Sequence, residues 1–526
     1  MVDAAKPRAV GPPTAIPIDL ELQKALYRPI ILDCALFKAC KERRSGSDGT
    51  SSAENDSLLT EAQLFKCFVN KLAQCCDSNR GGDTVTSICV LQGDEGPEYV
   101  LASNQRDDFD LEDVKNSLQK LLESVAHNAA EMKPKTMVAM VLRDVVLMTQ
   151  PRIKIYLDEL SKWLKLCLAH CQRQAVVDLT LQNELNNLLS KASFPTDNVT
   201  YPQTQAAFSS RCVTLIRAIV AIYNSKIEEA IINKAKDGEM SGSEAWCELR
   251  HYLGRLSSCR QAAEMIVSSE KRWPQFFRNF TITVVPSSSL HGRPLPSHES
   301  HKAAEIIRAM CHGHEEDAAP YLSKAADLQK FGLDSLIRKE INRRWYRGVH
   351  AEVLVHDYLL KRGVYHKSQY WNGWKYIGSS KPTCRLCSYY FHHHLDRVSV
   401  RASHLNLYRN WRLPDIYDDD PDAHAEQRRL ELLAHITERV QEDAKRTLEE
   451  RVARGKRYDS NTCSAWPGEC RDVSEDSEYM SDVMSQSDQG DTSPDTSETP
   501  STASDDEEPF VSAGEESDCD DGGGSL

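Results

Sequence analysis

The sequence predicts an α/β protein in which strand signals at two distant places flank a long helical tract. Three observations predict it. Residues 83–105, DTVTSICVLQGDEGPEYVLASNQ, carry two β-branched runs around an acidic glycine turn, a β-hairpin signal. Residues 108–272 place apolar residues at steps of three and four, the helical period. From residue 350 helix and strand patterns alternate again.

The elements follow in order. Residues 1–17 are proline-rich and are expected to lack regular structure; 18–43 read as short helices and 44–57 as a polar linker. LLTEAQLFKCFVNKLAQCC opens near Thr60 and reads as a helix, followed by the hairpin. No fixed-period repeat runs through the helices of 108–272, which argues against a regular solenoid. FTITVVP, 280–286, is an isolated strand candidate, and helices resume at about 301–312 and 318–344. A helix over 350–362 precedes WNGWKYIGSS, a strand ending in a turn. TCRLCSYYFHHHL reads as a helix and RVSVRAS as a strand. Residues 422–456 form a long charged helix. The Ser/Asp/Glu/Thr-rich chain from 471 holds too few apolar residues for a core and is expected to be disordered.

Composition narrows the function. The 526 residues carry a net charge of −14, but residues 471–526 hold 18 acids and one Arg, leaving the rest at +3. A near-neutral body neither demands nor excludes a nucleic-acid partner. The 17 cysteines, scattered through helical segments, suggest reduced thiols and an intracellular chain, cytoplasmic or nuclear. The start MVDAAKPRAVGPP lacks the apolar run of a secretory signal. MVAMVLRDVVLM and CVTLIRAIVAIY are short and broken by charge, so no membrane span is expected.

The chemistry-bearing residues lie in the alternating block. His350-Ala351-Glu352 stands at a helix start, and Cys384 and Cys387 form a C-x-x-C pair at a strand-to-helix turn. One imidazole and two thiolates are enough to hold a zinc ion with its fourth position open. Glu352, two residues from the histidine, need not ligate and could move protons beside the metal. Zinc makes hydroxide available near neutral pH for attack on an amidine carbon such as C4 of cytosine or C6 of adenine. The order H-x-E, gap, C-x-x-C is that of zinc deaminases.

VHAE (349–352), YIGSSKPTCRLC (376–387) and VRASHLNLYRNWRLP (400–414) together resemble the cytidine deaminase-like superfamily. They are most similar to its divergent nucleic acid/nucleotide deaminase branch, found in fungal proteins and bacterial toxins. The resemblance implies a three-layer α/β/α core and a zinc-dependent hydrolytic deaminase acting on a nucleobase in a nucleotide or nucleic acid. In that role His350, Cys384 and Cys387 hold the metal and Glu352 is the acid/base. It implies substrate contacts at Asn104, which ends the hairpin, and at His404 and Trp411. It also implies a split core: 61–105 as its first part, 106–340 as an all-helical insertion, and 341–415 as the zinc-binding part. Residues 1–60 are then an N-terminal segment and linker, 416–457 a charged helix and 458–526 the acidic tail. The family usually has proline directly before the first cysteine. Here Thr383 stands there, able to cap the following helix.

Other readings compete. A structural zinc would add a fourth ligand, for which HHH at 392–394 is available, although a cationic cluster at a helix C-terminus explains it too. The second triplet, His424-Ala425-Glu426, has no C-x-x-C after it and reads as the start of a solvated helix. Arg397, Arg401, Arg409, Trp411 and Arg412, with RKEINRRWYRG before them, suit either a phosphate-bearing partner or a solvated face. The alternative function is an inert deaminase-fold scaffold with structural zinc, using the helical insertion and acidic tail for protein partners.

Overall fold

The computed structural model describes residues 13–40, 44–45, 60–128, 131–173, 178–196, 199–236, 243–296, 301–420 and 422–454. The acidic tail expected from 458 lies outside them. A five-stranded mixed sheet organises the chain, with strands β2 (Thr86–Gln92), β3 (Pro97–Ser103), β4 (Thr281–Val285), β5 (Tyr376–Ser379) and β6 (Ser399–Val400) in the order β4-β3-β2-β5-β6. The remaining strands, β1 (Arg44–Ser45) and β7 (Ala453–Arg454), form a two-residue parallel pair of their own. The expected hairpin is β2–β3, paired from Thr86↔Ser103 to Gln92↔Pro97. β5 runs antiparallel to β2, with Cys89 opposite Ile377, and β6 runs parallel to β5.

β4 corrects one expectation. The strand taken as isolated is the sheet's edge, parallel to β3 with Val100 opposite Thr283. The helical excursion between β3 and β4 therefore spans α3 (Asp108–Asn128), α4 (Pro134–Met148), α5 (Gln150–Arg173), α6 (Leu179–Ala192), α7 (Pro202–Ile222), α8 (Lys226–Lys236) and α9 (Ser243–Arg272). The chain then returns to the sheet. α7 is long and apolar enough to cross a membrane by length and composition alone, but it buries Phe208, Cys212, Ile216 and Ile219 in the bundle.

Side-chain alternation divides the core. Ile88, Val90, Tyr99 and Leu101 face a cluster built with α2 (Glu61–Cys76) and the bundle. Cys89, Leu91, Val100 and Ala102 face a second cluster. That cluster includes α1 (Leu20–Ala39), α13 (Ala351–Lys361), α14 (Arg385–His393) and α15 (Ala425–Glu450). Burial on both faces explains why β2 reads as a near-continuous apolar run rather than a clean alternation. α2 lies close over β5: a Cβ on Gly378 would meet Val69 Cγ1 at 2.7 Å. Asn70 Oδ1 accepts from Ser379 N and Tyr376 OH, each at 3.0 Å.

α1 departs from the short helices expected over 18–43. It runs unbroken through Pro29, which costs about 3 kcal/mol in a helix interior. Its buried Leu26, Tyr27, Ile30, Ile31, Leu32, Ala35 and Leu36 offset that cost by packing against α15 and α12 (Leu333–Asn342). Within the segment read as N-terminal, α1 thus belongs to the core. α15 begins with His424 and Glu426 exposed, as read, but buries Leu433, Ile436, Val440 and Leu448. Of the described cysteines, thirteen are free thiols; Cys67 departs from the reduced set, being disulfide-bonded.

Candidate metal centre and active site

Two helix starts and one strand end build the site. His350 is the N-cap of α13, but its ring does not cap the helix. Asn104, directly after β3, accepts instead from Ala351 N at 2.7 Å and donates to Gly82 O at 2.8 Å. The expected substrate residue is thus placed beside His350, holding the helix that follows it. Val349 N donates to Ser288 Oγ at 2.9 Å, which fixes the approach to His350.

Cys384 is the N-cap of α14, and its sulfur accepts from Cys387 N at 3.4 Å. The cap expected from Thr383 is therefore made by Cys384. Thr383 Oγ1 has no hydrogen-bond partner, while the Thr383 backbone pairs with Ala402 O and with His404 N. This pairing extends the β5–β6 ladder into the cysteine turn and explains how the turn keeps its place without proline at 383.

The structure brings the three expected ligands together. His350 Nδ1 lies 3.4 Å from Cys384 Sγ and 3.4 Å from Cys387 Sγ, and the three donor atoms fall within 4.8 Å of one another. They could hold a metal ion. Among the described residues no fourth His, Cys, Asp or Glu joins them, and HHH at 392–394 lies elsewhere. Burial lowers the His393 and His394 rings below the usual range, the latter to about 4. His393 stacks on His435 at 4.8 Å. Burial thus works against the positive charge expected of this cluster at those two positions.

Electrostatics single out one thiolate. Burial alone would raise Cys384, but the hydrogen bond from Cys387 and the nearby His350 outweigh it and hold Cys384 well below the thiol range. Cys387 is pushed up by burial and by Cys384, with the hydrogen bond from Trp411 working the other way. Burial would lower His350, but the neighbouring Cys384, with help from Glu352, outweighs it and raises the imidazole above its ordinary range. Glu352 is 4% exposed, and burial pushes its carboxyl up despite the opposing pull of His350.

Trp411 and His404 take places the sequence did not define. Trp411 is fully buried and donates its indole N–H to Cys387 Sγ at 3.2 Å. It stands behind Cys387 rather than in an open pocket. His404 is also buried; its Nδ1 accepts from Asn406 N at 3.0 Å. Tyr408, partly exposed, fills the gap, with its ring 5.7 Å from His404 and 6.1 Å from His350.

Sequence reasoning missed Arg385, between the two cysteines. Its guanidinium is 3% exposed and Nη1 meets Asp33 of α1 at 2.6 Å and Asp443 of α15 at 3.5 Å. Its Nε donates to Leu405 O at 2.8 Å and its backbone N to Asn406 O at 3.0 Å. One residue thus joins both terminal helices, the cysteine turn and the loop carrying Tyr408. Of the other arginines that suit either a phosphate-bearing partner or a solvated face, two are engaged in buried ion pairs. Arg409 pairs with Glu340 and Arg412 with Asp415, and both are buried.

Residues 349–415 match the OTT_1508_deam:-like deaminase family model. The matched deaminase segment contains His350, Glu352, Cys384, Cys387, His404 and Trp411, whereas Asn104 reaches the site from outside it. No curated protein and no solved structure matches the chain.

Proposed function

We propose that the protein is a zinc-dependent hydrolytic deaminase of an amino-bearing nucleobase, of cytosine or adenine type, in a nucleotide or nucleic acid. The observation that carries this reading is the convergence of His350, Cys384 and Cys387, with buried Glu352 one residue into the same helix. Zinc–sulfur bonds of about 2.3 Å and zinc–nitrogen bonds of about 2.0–2.1 Å at tetrahedral angles separate N and S by about 3.6 Å. The 3.4 Å separations fit that donor set.

When bound, zinc supplies Lewis acidity with a position left open by the three-residue donor set. Glu352 would carry both protons of the attacking water in turn: the first to the ring nitrogen as the C–O bond forms, the second from the resulting hydroxyl to the amino group, which leaves as ammonia when the C–N bond breaks. Burial raises this carboxyl above its ordinary range, which helps it to give a proton as well as to take one. Asn104 orients α13 and hence both His350 and Glu352. Trp411 orients Cys387 through its sulfur. Partly exposed Tyr408 offers a face on which a base can stack.

In this reading the sheet and the helices on its two faces are the three-layer α/β/α core. α3–α9 are an insertion, available to protein partners, as is the acidic tail. The alternative, an inert scaffold with structural zinc, expects a fourth protein ligand, and the three-membered donor cluster favours catalysis.

The test measures metal content and ammonia release over a panel of nucleosides, nucleotides, single strands and structured RNA. One zinc per chain is expected. Glu352→Gln should keep the metal and lose about 10²–10⁴-fold in rate. A zinc-free preparation whose behaviour Cys384→Ser leaves unchanged would sink the proposal. Full activity in Glu352→Gln would remove that residue from the mechanism.

A further inference from the structure

Behind the expected metal donors, α13 and α14 are joined a second time. Glu352 and Cys387 meet across the two helices, the thiol donating to the carboxylate. His356 follows Glu352 by four residues and Tyr390 follows Cys387 by three, so each shares the helix face of the site residue before it. Tyr390 OH and His356 Nδ1 lie 2.9 Å apart. The other ring nitrogen, Nε2, lies 3.1 Å from Oδ2 of Asp396, which stands just past α14. Asp396 Oδ1 in turn accepts from the ammonium of Lys375, the residue before β5. Lys375 also donates to Asp396 O at 2.7 Å and to Tyr365 O at 2.8 Å. His356 is fully buried, and the side chains of Tyr390, Asp396 and Lys375 are nearly so.

The chemistry fixes the direction of each bond. Burial would raise Asp396, but the hydrogen bonds from His356 and Lys375 outweigh it and hold the carboxyl below its usual range. A carboxylate only accepts, so Nε2 carries the proton and donates to it. Burial outweighs Asp396 at the imidazole and lowers His356. The neutral ring then has a lone pair at Nδ1, which accepts from the Tyr390 O–H. A buried imidazole is costlier than an apolar side chain unless both nitrogens are bonded, and here both are. A buried polar network that is fully satisfied specifies one arrangement of the elements it joins. Here it fixes α13 against α14 one turn behind Glu352 and Cys387, and Lys375 ties both to the start of β5.

We propose that His356, through Tyr390 and Asp396, is a positioning residue of the metal centre. It sets the separation between the helix start bearing His350 and Glu352 and the helix start bearing Cys384 and Cys387. The inference rests on the metal-binding reading above and deepens it, adding residues that act on the donors only through the helices that carry them.

The test titrates cobalt(II) into the full-length protein. Chelator competition reads affinity, the ligand-field absorption of the bound ion reads its geometry, and urea unfolding of the metal-free protein reads stability. Tyr390→Phe deletes one O–H and keeps the ring. It should weaken cobalt about tenfold and shift the absorption bands. His356→Leu combined with Tyr390→Phe replaces both polar partners by apolar groups and leaves Asp396 bound to Lys375, so stability should return toward the wild-type value. Cobalt should stay weak and the bands displaced in that double variant, because the bond between the helices is still missing. A merely stabilising role predicts instead that affinity recovers with stability. Wild-type affinity and bands in Tyr390→Phe, or recovery of both in the double variant, overturn the positioning role. A wild-type protein that takes up no cobalt overturns the metal reading, and this inference with it, a pattern distinct from either variant result.

Discussion

Replacing Arg385 by methionine tests whether the terminal helices hold the cysteine turn in place. The substitution keeps an unbranched apolar stem and deletes the guanidinium. Asp33 and Asp443, 4% and 3% exposed, then lie together without the cation that joins them, and Leu405 O loses its donor. Removing one partner of a buried pair costs about 3–5 kcal/mol, because the remaining charge stays desolvated. A loss of that size is expected in urea unfolding followed by circular dichroism. The pH dependence has a defined sign. Burial outweighs Arg385 and already holds the Asp33 carboxyl above its ordinary range. Without the cation it rises further. A carboxyl raised by folding loses stability as pH climbs from its unfolded value through its folded one. The deficit of Arg385→Met is therefore largest at neutral pH and shrinks toward about pH 4. Adding Asp33→Asn and Asp443→Asn should restore at least half of the lost stability, since no buried charge is then left alone. Zinc affinity should fall as well, by about 10–100-fold, if the residue acts on the metal turn. A loss below about 1 kcal/mol, or no recovery in the triple variant, would refute the clamp.

Trp411→Phe keeps an aromatic ring but removes the N–H donated to Cys387, so chelator competition should report zinc held about 10-fold more weakly with little change in stability; unchanged affinity would deny Trp411 that role. Asp77 feels burial most strongly, but Arg152 and Lys381 outweigh it and hold its carboxyl below the usual range. Its contribution is present above the unfolded value of about 3.9 and disappears as pH falls through the folded one, so Asp77→Asn should flatten the acid limb of a urea-midpoint profile below about pH 4; an identical limb would contradict the assignment. Gly378→Ala places a methyl 2.7 Å from Val69 and 3.1 Å from Asn70 N, and a loss of about 1–3 kcal/mol in urea unfolding is expected; a neutral result would mean that α2 does not pack on β5 this closely.

The legible part of the fold was local. The β2–β3 hairpin announces itself through β-branched runs around GDEG, and α13, α14 and α15 begin within a few residues of their expected starts. What was not legible depends on partners far along the chain. FTITVVP reads as a lone strand because its partner β3 precedes seven helices. Pro29 suggests a break because a proline interrupts an isolated helix, yet tertiary packing against α12 and α15 carries α1 through it. The arginines of 343–412 look like a nucleic-acid surface because sequence shows their charge but not their burial. Arg409 and Arg412 are consumed by Glu340 and Asp415, and only Asp415 is a near neighbour in sequence.

The same division runs through the site. His350, Glu352, Cys384 and Cys387 were legible because metal chemistry restricts residue type and spacing, and two helix starts can present those donors to one point. The groups that support them obey no such spacing. Asn104 lies 247 residues from the Ala351 amide it holds, and Asp33 lies 352 residues from Arg385. Nothing local in α1 marks Asp33 as part of a metal centre; it reads as one acid in an apolar helix. Yet a buried acid in that position is unfavourable unless it has a cation, and Arg385 between two cysteines is unfavourable unless it has an acid. Each residue is unexplained alone and accounted for by the other. The matched deaminase segment is thus chemically complete in its donors, but its cysteine turn is oriented by helices outside it. A protein reduced to 341–415 would keep His350, Glu352, Cys384 and Cys387, and lose Asn104, Asp33 and Asp443 together.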